Sequence, residues 1–67
     1  MEYKIGKRIK ELRAEVKITQ KQLSKLVGKS ETAVASWEQG LSEPCVNDIR
    51  ALCKIFDVTA DDLLGLI

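Results

Sequence analysis

The sequence predicts an all-α fold, a compact domain of five short helices, and three observations support this prediction. Apolar residues recur at spacings of three and four, which is the period of an amphipathic helix. Capping residues and glycines divide the chain into segments of helical length. No segment alternates apolar and polar residues with the period of two that marks a strand. A chain of 67 residues is one domain in size, so we treat residues 1–67 as a single domain.

The first two helices are predicted at about residues 4–16 and 20–27. The second helix begins after Thr19, because Thr19 and Gln22 have the spacing of a capping box. It ends at Gly28, since glycine adopts the left-handed backbone of a helix terminus without strain. The apolar stripe of the first helix comprises Ile5, Ile9, Leu12 and Val16. The inner face of the second helix is expected to contain Leu23, Leu26 and Val27.

The third helix is predicted at about residues 31–39, with Ser30 as its N-cap and Gly40 at its end. A loop precedes the fourth helix, at about residues 46–56, and Thr59 caps a short fifth helix. The inner faces of these helices are expected to hold Ala33, Val34 and Trp37, then Ile49, Leu52, Cys53 and Phe56, and finally Leu63 and Leu64.

The charges are divided unevenly along the chain, although the net charge is only +1. Residues 1–29 contain nine Lys or Arg and three Glu, a net charge of +6. Residues 30–67 contain two Lys or Arg and seven Asp or Glu, a net charge of −5. This asymmetry favours one side that faces a polyanion. A set of solvated helix faces is the alternative explanation.

Several classes of function lack the residues that they need. There is no His, the side chain that most often serves as a general acid, a general base or a metal ligand near neutral pH. Cys45 and Cys53 are too few for a four-ligand zinc site. They would lie about 12 Å apart along a helix, too far for a disulfide. We therefore expect no enzyme activity, no metal or other cofactor, no small-molecule ligand and no membrane association, and we expect a cytoplasmic protein.

Residues 20–39 have the pattern of a helix-turn-helix. Two short helices are joined by the three-residue turn 28–30, which contains a glycine. Such a turn makes the helices cross steeply, so one face of the second helix stays outside. A helix presented in this way fits the major groove of DNA.

The sequence resembles the Cro and lambda-type repressor helix-turn-helix domains of phages and bacteria. The resemblance covers about residues 3–65 and rests on an ordered set of positions. These are Ile9, Leu12, Arg13, Thr19, Gln20, Leu23, Gly28, Ser30, Val34, Trp37, Glu38, Gly40, Pro44, Leu52, Phe56, Val58, Asp62, Leu63 and Leu64. The resemblance implies five helices and a regulator of transcription, expected to be a repressor, that binds operator DNA as a dimer near the bacterial nucleoid. An antitoxin-like or other protein-interaction module on the same fold is the alternative.

The resemblance also implies roles for individual positions. Those that match base-contacting residues are Glu31, Thr32, Ala35 and Ser36. Those that match phosphate-contacting residues are Gln20, Lys21, Lys29, Ser30 and Gln39. Helical spacing agrees with the first set, because positions 32, 35 and 36 lie opposite Val34 and Trp37. Lys29 departs from the family, where this position is often apolar, and Glu31 has a second explanation as a partner of the helix dipole.

Two further features concern packing and assembly. Arg13 and Glu38 match an ion pair that links the first and third helices in the family, and two solvated charges are the alternative. Binding of a palindromic operator implies a homodimer. The candidate interface residues are apolar or uncharged side chains that the core does not need: Leu41, Cys45, Val46, Leu66 and Ile67. For the last two, a frayed terminus is the alternative.

Overall fold

Five α-helices follow one another in the computed structural model, which describes residues 4–66. They are α1 (Ile5–Val16), α2 (Gln20–Val27), α3 (Glu31–Gln39), α4 (Val46–Phe56) and α5 (Ala60–Leu63). No strand occurs within residues 4–66, so the predicted fold class is confirmed. The bounds of α2, α3 and α4 are those that the sequence predicts.

The helix starts follow from side chains that bind free backbone N–H groups. Thr19 Oγ1 accepts the N–H of Gln22 at 3.0 Å, and Gln22 Oε1 accepts the N–H of Thr19 at 2.8 Å. Ser30 and Thr59 accept from the third residue of α3 and α5 in the same way, both at 3.1 Å. Each bond satisfies a backbone donor that the helix itself cannot. The predicted N-caps of α2, α3 and α5 are therefore confirmed.

The core lies where the helices meet. Helix α3 packs against α1 and α2, while α4 packs against α1, α2 and α5. The largest fully buried side chains come from all five helices: Ile9, Leu23, Val34, Leu52 and Leu63. Each helix contributes one apolar stripe, as the spacing predicts, and the stripes together exclude water from a single core.

Two residues assigned to inner faces lie in solvent instead. Val16 is 52% exposed and Leu26 is 59% exposed. Val16 is the last residue of α1, beyond the final core contact at Leu12. Leu26 lies on the flank of α2, and α3 and α4 cover only the side that contains Leu23 and part of Val27. Helical spacing shows which residues form an apolar stripe, but it does not show how much of that stripe the neighbouring helices cover.

Two contacts position α1 that the sequence analysis did not identify. Gly6 approaches the backbone of α3 so closely that a Cβ atom would overlap the carbonyl oxygen of Trp37 and lie 2.8 Å from its carbonyl carbon. Arg8 donates two hydrogen bonds to the carboxylate of Asp62, at 3.0 and 3.1 Å. The bond to Asp62 raises the pKa of Arg8 above its ordinary value. α1 is therefore joined to both α3 and α5.

Candidate nucleic-acid interface

The turn between α2 and α3 is short because it contains a glycine, which adopts a left-handed backbone conformation without strain. Gly28 has φ 76°, and the N–H of Lys29 bonds the carbonyl of Ser24 at 3.0 Å. Ser30 then caps α3. This geometry satisfies the free carbonyl at the end of α2, and α3 begins at Glu31 after a turn of three residues. Helix α3 consequently leaves the turn in a fixed direction.

Helix α3 has one buried face and one face open to solvent. Val34 is fully buried and Trp37 is 4% exposed, so the indole belongs to the core. On the other side, Glu31 and Thr32 are exposed, and Ala35 and Ser36 are half-buried. The structure thus brings the four predicted base-contacting residues onto one accessible stripe, joined at its end by exposed Gln39.

An ion pair attaches α3 to α1. Arg13 Nε and Glu38 Oε2 are 2.8 Å apart, and Arg13 Nη2 and Glu38 Oε1 are 3.0 Å apart. A third Arg13 nitrogen donates to the carbonyl of Ile18 at 2.9 Å. Gln20 Nε2 also donates to Glu38 Oε1, at 3.1 Å. The Glu38 side chain is 4% exposed, so this set of bonds holds a buried carboxylate at the end of α3.

The pKa values of this pair follow from opposing effects. Burial raises the pKa of the Glu38 carboxyl, but hydrogen bonds from Arg13 and Gln20 and the charge of Arg13 outweigh it. The net pKa of Glu38 therefore lies below its ordinary value. The hydrogen bond to Glu38 likewise raises the pKa of Arg13. Both groups stay charged at neutral pH, so the pair is fully formed there.

The predicted phosphate-contacting residues occupy different surroundings. Lys21 is exposed on α2 and Gln39 is exposed at the end of α3. The side chain of Gln20 is half-buried and bonded to Glu38, which braces α2 against α3. The hydroxyl of Ser30 accepts the N–H of Ala33. Gln20 and Ser30 thus bond within the fold, whereas Lys21 and Gln39 are open to solvent.

Lys29 has a partner that the sequence analysis did not identify. Its Nζ lies 3.6 Å from Oδ1 of Asp48, on the first turn of α4. The Asp48 side chain is 8% exposed, while that of Lys29 is 46% exposed. The sequence does contain a signal, because an acidic residue three positions after Cys45 fits a capping box, and Asp48 Oδ2 accepts the N–H of Cys45 at 3.1 Å.

The candidate dimer residues lie on the surface between α3 and α4 and at the C-terminal end. Leu41, Val46 and Leu66 are 75%, 72% and 68% exposed. Cys45 is also exposed and forms no disulfide. Ile67 lies outside the described residues. An open groove of about 430 Å³ borders this surface between α1 and the loop after α3, and its walls include Lys4, Lys7, Leu41, Ser42 and Glu43.

Neither a metal centre nor a membrane-spanning helix is found in the part of the chain that the structure describes. Within residues 4–66, no group of three or more Cys, Asp or Glu side chains could hold a metal ion. No helix in that range is long and apolar enough to cross a membrane.

Comparison with known proteins identifies the family. A family model described as helix-turn-helix matches residues 9–63. The chain belongs to the helix-turn-helix family.

Two structures of another helix-turn-helix protein, the P22 c2 repressor, share the fold. The crystal structure in complex with synthetic operator 9T has a TM-score of 0.87 at 36% identity and covers 94% of this chain and 96% of that chain. The solution structure of its DNA-binding domain has a TM-score of 0.88 at 37% identity, covering 96% and 86%.

Proteins that are similar to this chain in sequence include a repressor, a transcriptional activator and an antitoxin. Repressor protein C2 of Salmonella phage P22 is 38% identical over 90% of this chain. The HTH-type transcriptional activator BcrR of Enterococcus faecalis is 33% identical over 90%, and the antitoxin PezA of Streptococcus pneumoniae is 34% identical over 91%. This chain spans only 28%, 29% and 39% of their respective lengths. The resemblance to phage and bacterial repressor domains is confirmed.

Proposed function

We propose that this chain is a sequence-specific DNA-binding regulator of transcription, and that it acts as a repressor by inserting α3 into the major groove of an operator. The observation that carries the proposal is the polar, accessible face of α3, held outward by a tight turn and by the Arg13–Glu38 pair. The likeness to a repressor structure with bound operator supports it. A B-DNA major groove about 12 Å wide admits an α-helix.

The accessible face of α3 offers chemistry that suits base edges. Glu31 accepts hydrogen bonds from an amino group such as cytosine N4, and the methyl groups of Thr32 and Ala35 fit beside a thymine methyl. Ser36 both donates and accepts. We assign base contacts to these four residues. Glu31 and Thr32 are exposed and Ala35 and Ser36 are half-buried, which supports this assignment, because none has to leave the core to reach a base.

Phosphate contacts surround this face in the proposal. They come from Gln20, Lys21, Lys29, Ser30 and Gln39. The excess of positive charge in residues 1–29 supports the arrangement, since neutralisation of phosphates releases counterions and supplies most of the affinity for any DNA sequence. Phosphate contacts of this kind fix the register of α3 in the groove without reading the sequence.

Salt dependence of DNA binding tests the proposal directly. A dimer that neutralises roughly six to eight phosphates should lose affinity with a slope of log K against log salt between about −5 and −7. The measurement is a titration of a random-sequence DNA duplex by fluorescence anisotropy at several salt concentrations. A slope near zero would rule out a phosphate-binding surface.

A homodimer on a palindromic operator is the second part of the proposal. One recognition helix reads too few base pairs to find a site among many competitors, whereas a twofold dimer reads two half-sites about 34 Å apart. The exposed side chains of Leu41, Val46 and Leu66 supply apolar area for such a contact. Their burial in a second copy would offset part of the cost of association.

Sedimentation equilibrium tests the assembly. The intact chain should form dimers, and truncation after Gly65 should weaken association by about tenfold or more, as expected if the buried area of Leu66 contributes ~1.5 kcal/mol. Equal association constants for the intact and the truncated chain would show that the C-terminal end is not part of the interface. A chain that stays monomeric even on a palindromic duplex would refute the dimer.

An antitoxin-like module is the second candidate function, favoured by the 34% identity to an antitoxin over 91% of this chain. The two candidates differ in what the chain does without a partner. A repressor domain binds its operator alone, whereas an interaction module depends on a partner protein for tight binding. Operator selection with the purified chain therefore separates them.

A further inference from the structure

Asp48 is a nearly buried carboxylate fixed at the start of α4. The residue is 6% exposed. Its Oδ2 accepts the backbone N–H of Cys45 at 3.1 Å and the thiol of Cys45 at 3.2 Å. These bonds close the capping box of α4 and place the carboxylate in the first turn, where the helix dipole favours a negative charge. Asp48 is therefore an anion with a fixed position.

The remaining oxygen of this carboxylate is directed at the turn between α2 and α3. Oδ1 lies 3.6 Å from the Nζ of Lys29, whose side chain is 46% exposed. The ammonium thus lies between a buried anion and solvent, on the turn that joins α2 to α3. Within residues 4–66, no other ion pair links this turn to α4.

We propose that Asp48 weakens and tunes the binding of DNA by holding the Lys29 ammonium away from phosphate. This inference rests on the proposed function, in which Lys29 lies beside the DNA backbone. If the ammonium stays with Asp48 in the complex, its charge is largely compensated. If it moves to a phosphate, it leaves a buried carboxylate without its counterion next to a polyanion. Both outcomes lower the affinity below that of an uncompensated lysine.

Asp48 is in this view a positioning residue that controls affinity without touching DNA. The arrangement limits the sequence-independent part of binding, because a phosphate contact strengthens binding to every sequence alike. Base contacts by α3 stay unchanged, so Asp48 lowers the affinity for the operator and for random DNA by the same factor and leaves their ratio unchanged.

The substitution Asp48→Asn removes the charge and keeps an oxygen that accepts the Cys45 N–H. We expect D48N to bind a random-sequence duplex about fivefold more tightly at physiological salt. The slope of log K against log salt should steepen by about 0.9 per protomer, because one more counterion is released. The affinity and the slope are both read from anisotropy titrations. A purely structural role for Asp48 would not steepen the slope.

Asp57→Asn is the matched control. Asp57 lies at the other end of α4, with left-handed backbone (φ 54°) that asparagine also tolerates. The length of α4 separates it from Asp48 by roughly 14 Å, beyond the Debye length of ~8 Å at physiological salt. D57N makes the same change in net charge, and we expect it to leave the affinity and the slope almost unchanged.

A double-mutant cycle with Lys29→Ala completes the test. Most of the gain from D48N should vanish in the K29A background, because no ammonium remains to be released. An unchanged affinity and slope in D48N would overturn the inference, and so would a gain that persists in full without Lys29. If the wild-type chain itself shows no salt-dependent binding, the proposed function fails instead. Circular dichroism checks folding, and D48S carries the same test if D48N unfolds.

Discussion

The two faces of α3 differ in burial: one face packs into the core and the other is accessible to solvent. The inner face contains Val34 and Trp37 in the core, and next to it the buried carboxylate of Glu38 is held by Arg13. The outer face contains Glu31, Thr32, Ala35 and Ser36, none of which is buried. The inner face fixes where the helix lies, and the outer face is free to differ without disturbing the fold.

This difference separates stability from recognition within one helix of nine residues. Substitutions on the inner face should lower the free energy of unfolding and affect DNA binding through the folded fraction and the position of α3. Substitutions on the outer face should change DNA preference and leave the stability within about 0.5 kcal/mol of the wild type.

The largest effect is expected from Gly6→Ala, which acts on the inner side through α1. In a helix, alanine is favoured over glycine by about 1 kcal/mol, so propensity alone predicts stabilisation. The added Cβ would instead overlap the Trp37 carbonyl oxygen and approach the Glu38 Cα to 3.0 Å. Because backbone atoms cannot rotate away, we expect a loss of about 3 kcal/mol or more. Urea unfolding measures it, and a more stable variant would contradict the close approach.

The next effect is expected from Glu38→Gln, which leaves the Arg13 charge without its partner. We expect a loss of about 3 kcal/mol, near the lower end for a broken buried pair, because the Arg13 side chain keeps 18% of its surface in water. Glu43→Gln is the control, since Glu43 is exposed and its replacement should cost less than about 0.5 kcal/mol. Equal urea midpoints for the two variants would show that the pair contributes nothing.

The same pair predicts how stability depends on pH. The pKa of Glu38 is lowered in the folded chain from its ordinary value of 4.5. The contribution of its ionised form is therefore fully present above about pH 4.5 and is lost as the pH falls through the lowered pKa. The stability difference between the wild type and E38Q should shrink over that acid range. A difference that stays constant down to low pH would contradict the lowered pKa.

Much of the fold follows from the sequence because its signals are local. The capping residues Thr19, Ser30 and Thr59 lie three positions from the N–H groups that they bind. Gly28 and Gly40 end α2 and α3 with left-handed backbone, at φ 76° and 80°. Such signals need no knowledge of the tertiary structure, and they predict the bounds of these helices correctly.

The features that the sequence analysis missed depend on segments far apart in the chain. Arg8 and Asp62 are 54 positions apart. Nothing in the local sequence distinguishes Gly6 from any other residue inside a helix, because its role depends on the contact with α3. Lys29 and Asp48 belong to different helix termini, so neither spacing nor charge alone joins them. Periodicity predicts that Leu26 faces inward, because it gives the direction of an apolar stripe but not how much of the stripe the neighbouring helices cover.

Selection of bound sites from a random DNA library tests whether the outer face of α3 reads the sequence of DNA. The wild-type chain should enrich a motif with two half-sites. Thr32→Ala and Ser36→Ala should each reduce base preference by roughly 1–3 kcal/mol at one position per half-site, with unfolding midpoints unchanged. If T32A or S36A lowers the affinity for all library sequences equally, the substituted residue contacts phosphate and not a base. If the wild-type chain enriches no motif, sequence-specific recognition by α3 is contradicted.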